Sequence, residues 1–488
     1  MASDRLNLKT AKWIRIGSSQ PLKEISSGCH HWRKPKRIRK IIMESITLTY
    51  SLNDIYDVVV CGGGPAGCAA ALCAARNGAK VALVEQMGCL GGTGVINGVN
   101  VFSPGYHDSE RDIMGGVFKE IYQLLLERDA IIPHIQHAWE PFNIEVYKQI
   151  WDDLLFEAKV DVFLESTVVA AKTENGYIDN ILINTLQGLR GLKATEFIDC
   201  TGDGHLSMLS GVPFEIGRES DGAIQPYTMM FFVGGVDIDE IKGYSRDGLY
   251  LTDDGRSFVN GNGFRSFIEK ANEDGLDFIP KKTIGSMYNI PWLPGVVGIN
   301  FGRVFGDGKL EPTQLFLDTR TGRKQVEEAM KILRGYIPGF SNAYLIESSL
   351  KIGRRESRRI KGVYTMTVDD VLQLRQFDDV IAQGCYQVDI HGPTDASFKL
   401  IKLPPKTHYD IPYSILIPQK IDNLLVAGRC VSATHEALGA IRVQPICMAM
   451  GQAAGTAATL CKKEGCIPSE LSIALLQNTL QNMGVILH

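Results

Sequence analysis

The sequence predicts an α/β protein organised on a parallel sheet. Two features carry that expectation. Residues 56–85 read as strand, glycine-rich turn, helix and strand in about thirty residues, a unit that closes only as a right-handed crossover between parallel strands. Apolar strand-length runs then recur far downstream, ending with 423–428. One Rossmann-like sheet is therefore assembled from separated segments of a 488-residue chain, with other structure inserted between them.

The N-terminal 42 residues stand apart. They hold eleven Lys and Arg against Asp4 and Glu24, on a chain whose formal net charge is −4. The core RKPKRIRK would suit a basic arm, yet no apolar periodicity patterns the segment as a helix, so residues 1–53 are expected to be a basic, disordered extension. The rest is of ordinary globular composition, 44% hydrophobic and 22% charged, without a global basic footprint for nucleic acid. No apolar run reaches the ~18 residues of a membrane span. The eleven cysteines are odd in number, scattered, and never spaced Cys-x-x-Cys, which fits a reducing compartment and a cytoplasmic location. Cys68 and Cys73 fall inside the first helix and read as packing.

Asp57-Val-Val-Val-Cys61 has the continuous apolar character of a strand buried on both faces. Gly62, Gly64 and Gly67 follow in a G-x-G-x-x-G turn with Pro65 and Ala66 inside it, then an Ala-rich helix to Arg76. Residues 80–85 form the next strand and end on Glu85. Gly62 suits a tight turn, Gly64 a close approach of backbone to phosphate, and Gly67 close packing of helix on strand. The helix N-terminus presents oriented N–H groups, and Glu85 is placed to accept from ribose hydroxyls. With strand, helix and acid in register, this is a dinucleotide site, open to NAD or FAD.

Helices are expected at 112–128 and 144–159. Strands follow at 161–166, 168–171, 178–185 and 195–200, with hairpin signals at Asn175-Gly176 and Gln187-Gly188 that predict a β-meander. Residues 205–400 are mixed, with helices at 327–335 and 368–377. A helix with Pro445 in its first turn covers 445–462, and an amphipathic one closes the chain at 469–483.

Three further glycine-rich segments argue for FAD. They are the loop with Gly91, Gly92 and Thr93, the strand end with Gly202 and Asp203, and Gly428-Arg429. A ligand clasped by all of them is long and enclosed, as a retained flavin is. Val169 is a further cofactor contact on the intervening strand.

With these segments the chain resembles the FAD-dependent oxidoreductases of the two-dinucleotide-binding-domain flavoprotein superfamily. It is most similar to the broad bacterial family that shares the stretch from Asn423 through Arg442 to Gly455, together with Gly353-Arg-Arg-Glu-Ser-Arg-Arg359. The resemblance covers about residues 55–485. It implies an FAD-binding domain from 54–108, 160–218 and 405–488, a helical insertion at 109–159, and an α+β substrate-capping domain at 219–404. Arg442 and Gln444, just before Pro445, would face N1 and the C2 carbonyl of the flavin, where reduction places negative charge. His435 and His391 are the candidate proton acceptors, with Tyr413 behind them. In the 353–359 motif, Glu356 is expected to pair with an arginine while another arginine faces the cofactor cleft, to bind an anion or the FAD phosphates.

The expected activity is that of a dehydrogenase or oxidase that moves hydride from a small organic substrate to flavin N5, at CH–OH or CH–CH. Electrons then pass to a separate acceptor, because no second G-x-G-x-x-G follows a strand to hold NAD(P)H. No spacing suggests a metal. Two rival readings stand beside this one: an NAD-dependent dehydrogenase, and a flavoprotein of RNA modification that uses the basic arm.

Overall fold

A computed structural model describes residues 49–103, 105–108, 111–131, 140–242, 249–251, 257–259, 264–281, 283–290, 292–393 and 397–487. The basic arm lies outside these residues. Strand β1 (Ser51–Cys61) begins inside the segment expected to be an extension and leads into α1 (Pro65–Arg76) and β2 (Val81–Val84). Helices α2 (Gly116–Glu127) and α3 (Ile144–Glu157) come next. The chain then returns through β3 (Asp161–Phe163), β4 (Thr167–Glu174), β5 (Tyr177–Thr185) and β6 (Gly188–Asp199).

The central sheet has the order β3-β2-β1-β6-β5-β4. β3, β2, β1 and β6 are mutually parallel, and β4, β5 and β6 form an antiparallel meander. The hairpins turn at Asn175 and Gly188, both with positive φ, as their sequence signals predict. Val58, Val59, Val60 and Cys61 are fully buried, because helices cover the parallel part of the sheet.

A second hydrophobic core draws on residues from Ile224 to Ile352. Its sheet contains β7 (Phe231–Gly234), β8 (Ser286–Asn289) and β9 (Val297–Asn300). Helix α4 (Pro312–Tyr336) packs beside it, and β10 (Tyr344–Ser348) forms its edge. α4 runs through Thr321-Gly322, where the sequence suggested a later start. Gly322 is tolerated because a side chain there would press on Met229 and Ile352. Strand β11 (Val388–His391) belongs to a two-stranded sheet, and its Val388 packs with the first core.

Strand β12 (Leu424–Val426) joins the central sheet parallel to the end of β6. Helices α5 (His435–Ile441), α6 (Gln444–Glu464) and α7 (Ile473–Asn482) complete the chain. α7 starts after Ser472, whose hydroxyl caps Leu475, since residues 468–470 form a separate 3-10 turn. α6 lies against α1 at backbone distance. A Cβ on Gly451 or Gly455 would stand 2.0 Å from the carbonyls of Ala66 and Ala70, so glycine at this four-residue spacing permits the contact. The ten described cysteines are free thiols. Among the described residues no helix is long and apolar enough to cross a membrane.

Candidate active site

The C-terminal ends of β1, β2, β6 and β12 open into one cavity of about 1210 Å³. This is the crevice where open α/β sheets bind ligands. Gly62 has φ +103° and passes so close to β6 that a Cβ would lie 2.5 Å from the Cys200 carbonyl. A Cβ on Gly67 would lie 1.7 Å from the Gly62 carbonyl. Gly64, Pro65 and Ala66 line the cavity itself. No side chain caps α1, so the amides of its first turn face the cavity without a protein acceptor from a cap.

Glu85 is buried at the end of β2 and is oriented by backbone amides. Gly63 N donates to its Oε2 at 2.6 Å and Met87 N to its Oε1 at 2.8 Å. Burial raises its carboxyl above the usual range, and these two bonds oppose the rise. Gly91 N donates to the Gly63 carbonyl at 2.9 Å and brings Gly92 and Thr93 over the turn. Thr167 and Val168 also line the cavity, whereas the side chain of Val169 is 40% exposed, since neighbours on a strand face opposite ways.

Gly202, Asp203, Gly428 and Arg429 line the cavity beside the glycine-rich turn, where a Cβ on Gly428 would lie 3.0 Å from the Ala66 Cβ. Asp203 pairs with Arg354 and with Arg429 (2.6 Å) and accepts from the Ser357 hydroxyl at 2.6 Å. The two arginines outweigh its burial and hold the carboxyl far below the usual range. Arg354, Arg355 and Arg358 of the 353–359 motif thus line the cavity, while Glu356 is buried in an ion pair with Arg359.

At the start of α6, Arg442, Val443 and Gln444 line the same cavity. The helix again has no side-chain cap, and Gln444 Nε2 is tied to the carbonyls of Val99 and Val101. Arg442 lies 3.5 Å from Asp389 Oδ2. His391 is 3.3 Å from Asp389 Oδ1 through Nε2, and its Nδ1 is 3.2 Å from a guanidinium nitrogen of Arg303. Burial, then the surrounding cations, keep His391 well below its usual range and therefore neutral.

The sequence candidates thus separate. His391 and Arg442 line the cavity together; His435 does not. Its ring is buried and its Nδ1 lies 2.7 Å from Glu356 Oε2, so it is spent on an internal ion-pair network. Tyr413 is buried and donates to the Pro468 carbonyl. Sequence reasoning missed Lys281, Arg303 and Tyr386, which line the cavity from segments without a motif.

Two uncapped helix N-termini, cation-lined walls and a ribose-type acid therefore share one elongated-ligand site, which defines a dinucleotide-binding flavoprotein. The chain belongs to the FAD dependent oxidoreductase family, whose family model matches residues 57–480. It is an enzyme of that class and FAD is its cofactor. The residues fit FAD: the bare backbone at Gly64 leaves room for a pyrophosphate beside the α1 amides, and a Cβ there would meet nothing closer than the Gly92 Cα at 3.9 Å.

Solved structures with related chains include a geranylgeranyl bacteriochlorophyll reductase-like protein from Thermoplasma acidophilum (13% identity, 89% of this chain and 84% of that one, TM-score 0.44). A flavin-dependent brominase matches at 10% identity over 88% and 83% (TM-score 0.46). A p-nitrophenol 4-monooxygenase from Pseudomonas putida matches at 12% over 87% and 83% (TM-score 0.40). No curated protein sequence matches the chain.

Proposed function

We propose that this enzyme is a dehydrogenase or oxidase that removes hydride from a C–H bond of a small organic substrate, and that an external acceptor then takes the electrons. The observation that carries the reading is the group Arg303–His391–Asp389–Arg442, which lines the same cavity as the phosphate cradle. Bound FAD supplies the two-electron acceptor.

His391 is the proton acceptor. It is neutral, and the Asp389 carboxylate 3.3 Å from Nε2 favours the tautomer with its proton on that nitrogen, which leaves Nδ1 as the basic atom. Tyr386 donates to Asp389 Oδ2 at 3.1 Å and steadies that carboxylate. Arg442 and the open amides of α6 would hold the pyrimidine edge of the flavin and stabilise negative charge there. Elements of the 219–404 segment bring Lys281 and Arg303 to the cavity, which supports its role as a cap that excludes water.

The test is anaerobic mixing of the yellow holoenzyme with alcohols, hydroxy acids and saturated acids. The expected result is bleaching of the visible flavin band by one class. In His391→Asn, bleaching by that class slows by roughly 10²–10⁴-fold while FAD content is unchanged. An unchanged rate in the variant would remove His391 from the mechanism.

A further inference from the structure

Among the described residues the cavity is lined by nine lysines and arginines against three carboxylates, Glu85, Asp203 and Asp389. Apart from Arg265 and Arg358, these charges divide into two groups by mutual influence. Lys351, Arg354 and Arg429 act with Glu85 and Asp203. Lys281, Arg303, Arg355 and Arg442 act with His391 and Asp389. The first group contains the α1 side of the cavity, where the FAD pyrophosphate adds negative charge. The second has four cationic side chains and one carboxylate.

That carboxylate is already used. Asp389 is paired with Arg442, accepts from the Tyr386 hydroxyl and lies 3.3 Å from His391 Nε2. The partners of Arg303 include His391 Nδ1 and the Ser397 carbonyl. Among the described residues Arg355 hydrogen-bonds to one acceptor, the Pro226 carbonyl at 2.6 Å. Lys281 is only 8% exposed, and among the described residues its Nζ has no hydrogen-bond partner. Gly285 makes room for that ammonium, since a Cβ there would lie 2.6 Å from Nζ. Burial, reinforced by Arg355 and Arg303, drives Lys281 well below its usual range, the mark of a site short of negative charge. A buried amino group without a partner among the described residues is costly and regains its proton beside a negative charge, so Lys281 and the guanidinium groups around it make sense as a receptor for an anion.

We infer that the substrate is a small organic dianion, its two anionic groups held by Lys281, Arg303 and Arg355 so that the carbon to be oxidised sits beside His391. This rests on the reading of the cavity as the place where substrate meets flavin. A substrate carboxylate is a stronger acceptor for Arg303 than the imidazole is, so its arrival draws the guanidinium from Nδ1 and frees that atom for a proton. An uncharged alcohol leaves Arg303 on His391 and the cation group uncompensated.

The experiment uses the holoenzyme and needs no turnover. Acetate, succinate and inorganic phosphate are titrated separately, with perturbation of the visible flavin spectrum and calorimetry as readouts. Succinate is expected to bind at least ~100-fold more tightly than acetate, the equivalent of one additional charge-assisted contact. Lys281→Met and Arg355→Met should each weaken succinate by roughly tenfold or more and acetate by less than about threefold, with FAD content unchanged. Phosphate binding more tightly than succinate would also support a dianion and would make one anionic group a phosphoryl. Equal affinity for acetate, succinate and phosphate in the unaltered holoenzyme overturns the inference, whatever the variants do. Tight succinate binding with no bleaching by any donor would overturn the proposed hydride transfer and support the anion site. Bleaching by an uncharged alcohol without dianion preference would do the reverse.

Discussion

In the G-x-G-x-x-G turn, the three glycines meet different obstacles, and Gly64→Ala exploits the difference. Gly62 and Gly67 cannot take a Cβ without striking backbone at 2.5 and 1.7 Å. Gly64 has φ −78° and ψ −175°, which alanine adopts freely, and only the Gly92 Cα lies within 4 Å of its Cβ, at 3.9 Å. In the FAD-free protein the substitution should therefore be nearly silent. Alanine reduces the freedom of the unfolded chain, worth about 0.4–1 kcal/mol, and is a poorer helix cap by a similar amount. The net change is within about 1 kcal/mol, a few degrees in melting temperature at most. With FAD the position changes. A methyl at Gly64 occupies the space through which a phosphate oxygen approaches the α1 amides, and losing one or two charge-assisted bonds costs about 3 kcal/mol, or roughly 100-fold in affinity. Reconstitution of apoprotein with FAD, followed by fluorescence, gives the affinity, and scanning calorimetry of the same apoprotein gives the stability. An apo variant that melts like the parent and binds FAD undiminished would refute the placement of the pyrophosphate. A variant that melts far lower without FAD would refute the open space. Gly67→Ala should fail in the opposite order, with loss of the fold itself.

Two further outcomes follow from buried polar groups. Asn423 joins the late strand to the meander, since its Oδ1 accepts from Ile178 N (2.8 Å) and its Nδ2 donates to the carbonyls of Ile178 and Thr195. Asn423→Ala strands three backbone groups and should cost about 2–4 kcal/mol in denaturant unfolding, with little change in slope. Glu196, 3% exposed on β6, has its carboxyl pushed up to about 8 by burial, against 4.5 when unburied. Between those values the folded chain holds a proton that the unfolded chain has released, so this residue's contribution to stability falls as pH rises, by about 1.4 kcal/mol per pH unit at most. Glu196→Gln should remove that loss, and its stability advantage over the parent should therefore grow from pH 5 to pH 8 in parallel urea titrations; an advantage independent of pH would show that Glu196 ionises normally.

Much of the fold was legible because its signals are local. The first strand, turn and helix, the two hairpins of the meander, the late strand and α6 each announce themselves through a short-range cause: apolar runs, glycine where φ is positive, proline where an N–H is dispensable. The extent of α4 was not legible: a helix was expected at 327–335, and the structure starts it at Pro312 and carries it through Gly322, enclosed by Met229 and Ile352. The two histidines show the same limit. Nothing in the local sequence around His435 or His391 shows which one reaches the cavity, and it is the tertiary partners, Glu356 for one and Arg303 for the other, that separate them.

What the sequence alone determined is the glycine-rich end of the cavity, the end proposed for the coenzyme. A dinucleotide is gripped by backbone, and backbone geometry is written in consecutive residues such as Gly62 to Gly67. The end proposed for the substrate was decided only by tertiary structure. Lys281, Arg303, Arg355, His391 and Arg442 are held together by charge and burial, forces that act through space, so residues from widely separated segments form one site that no stretch of sequence contains.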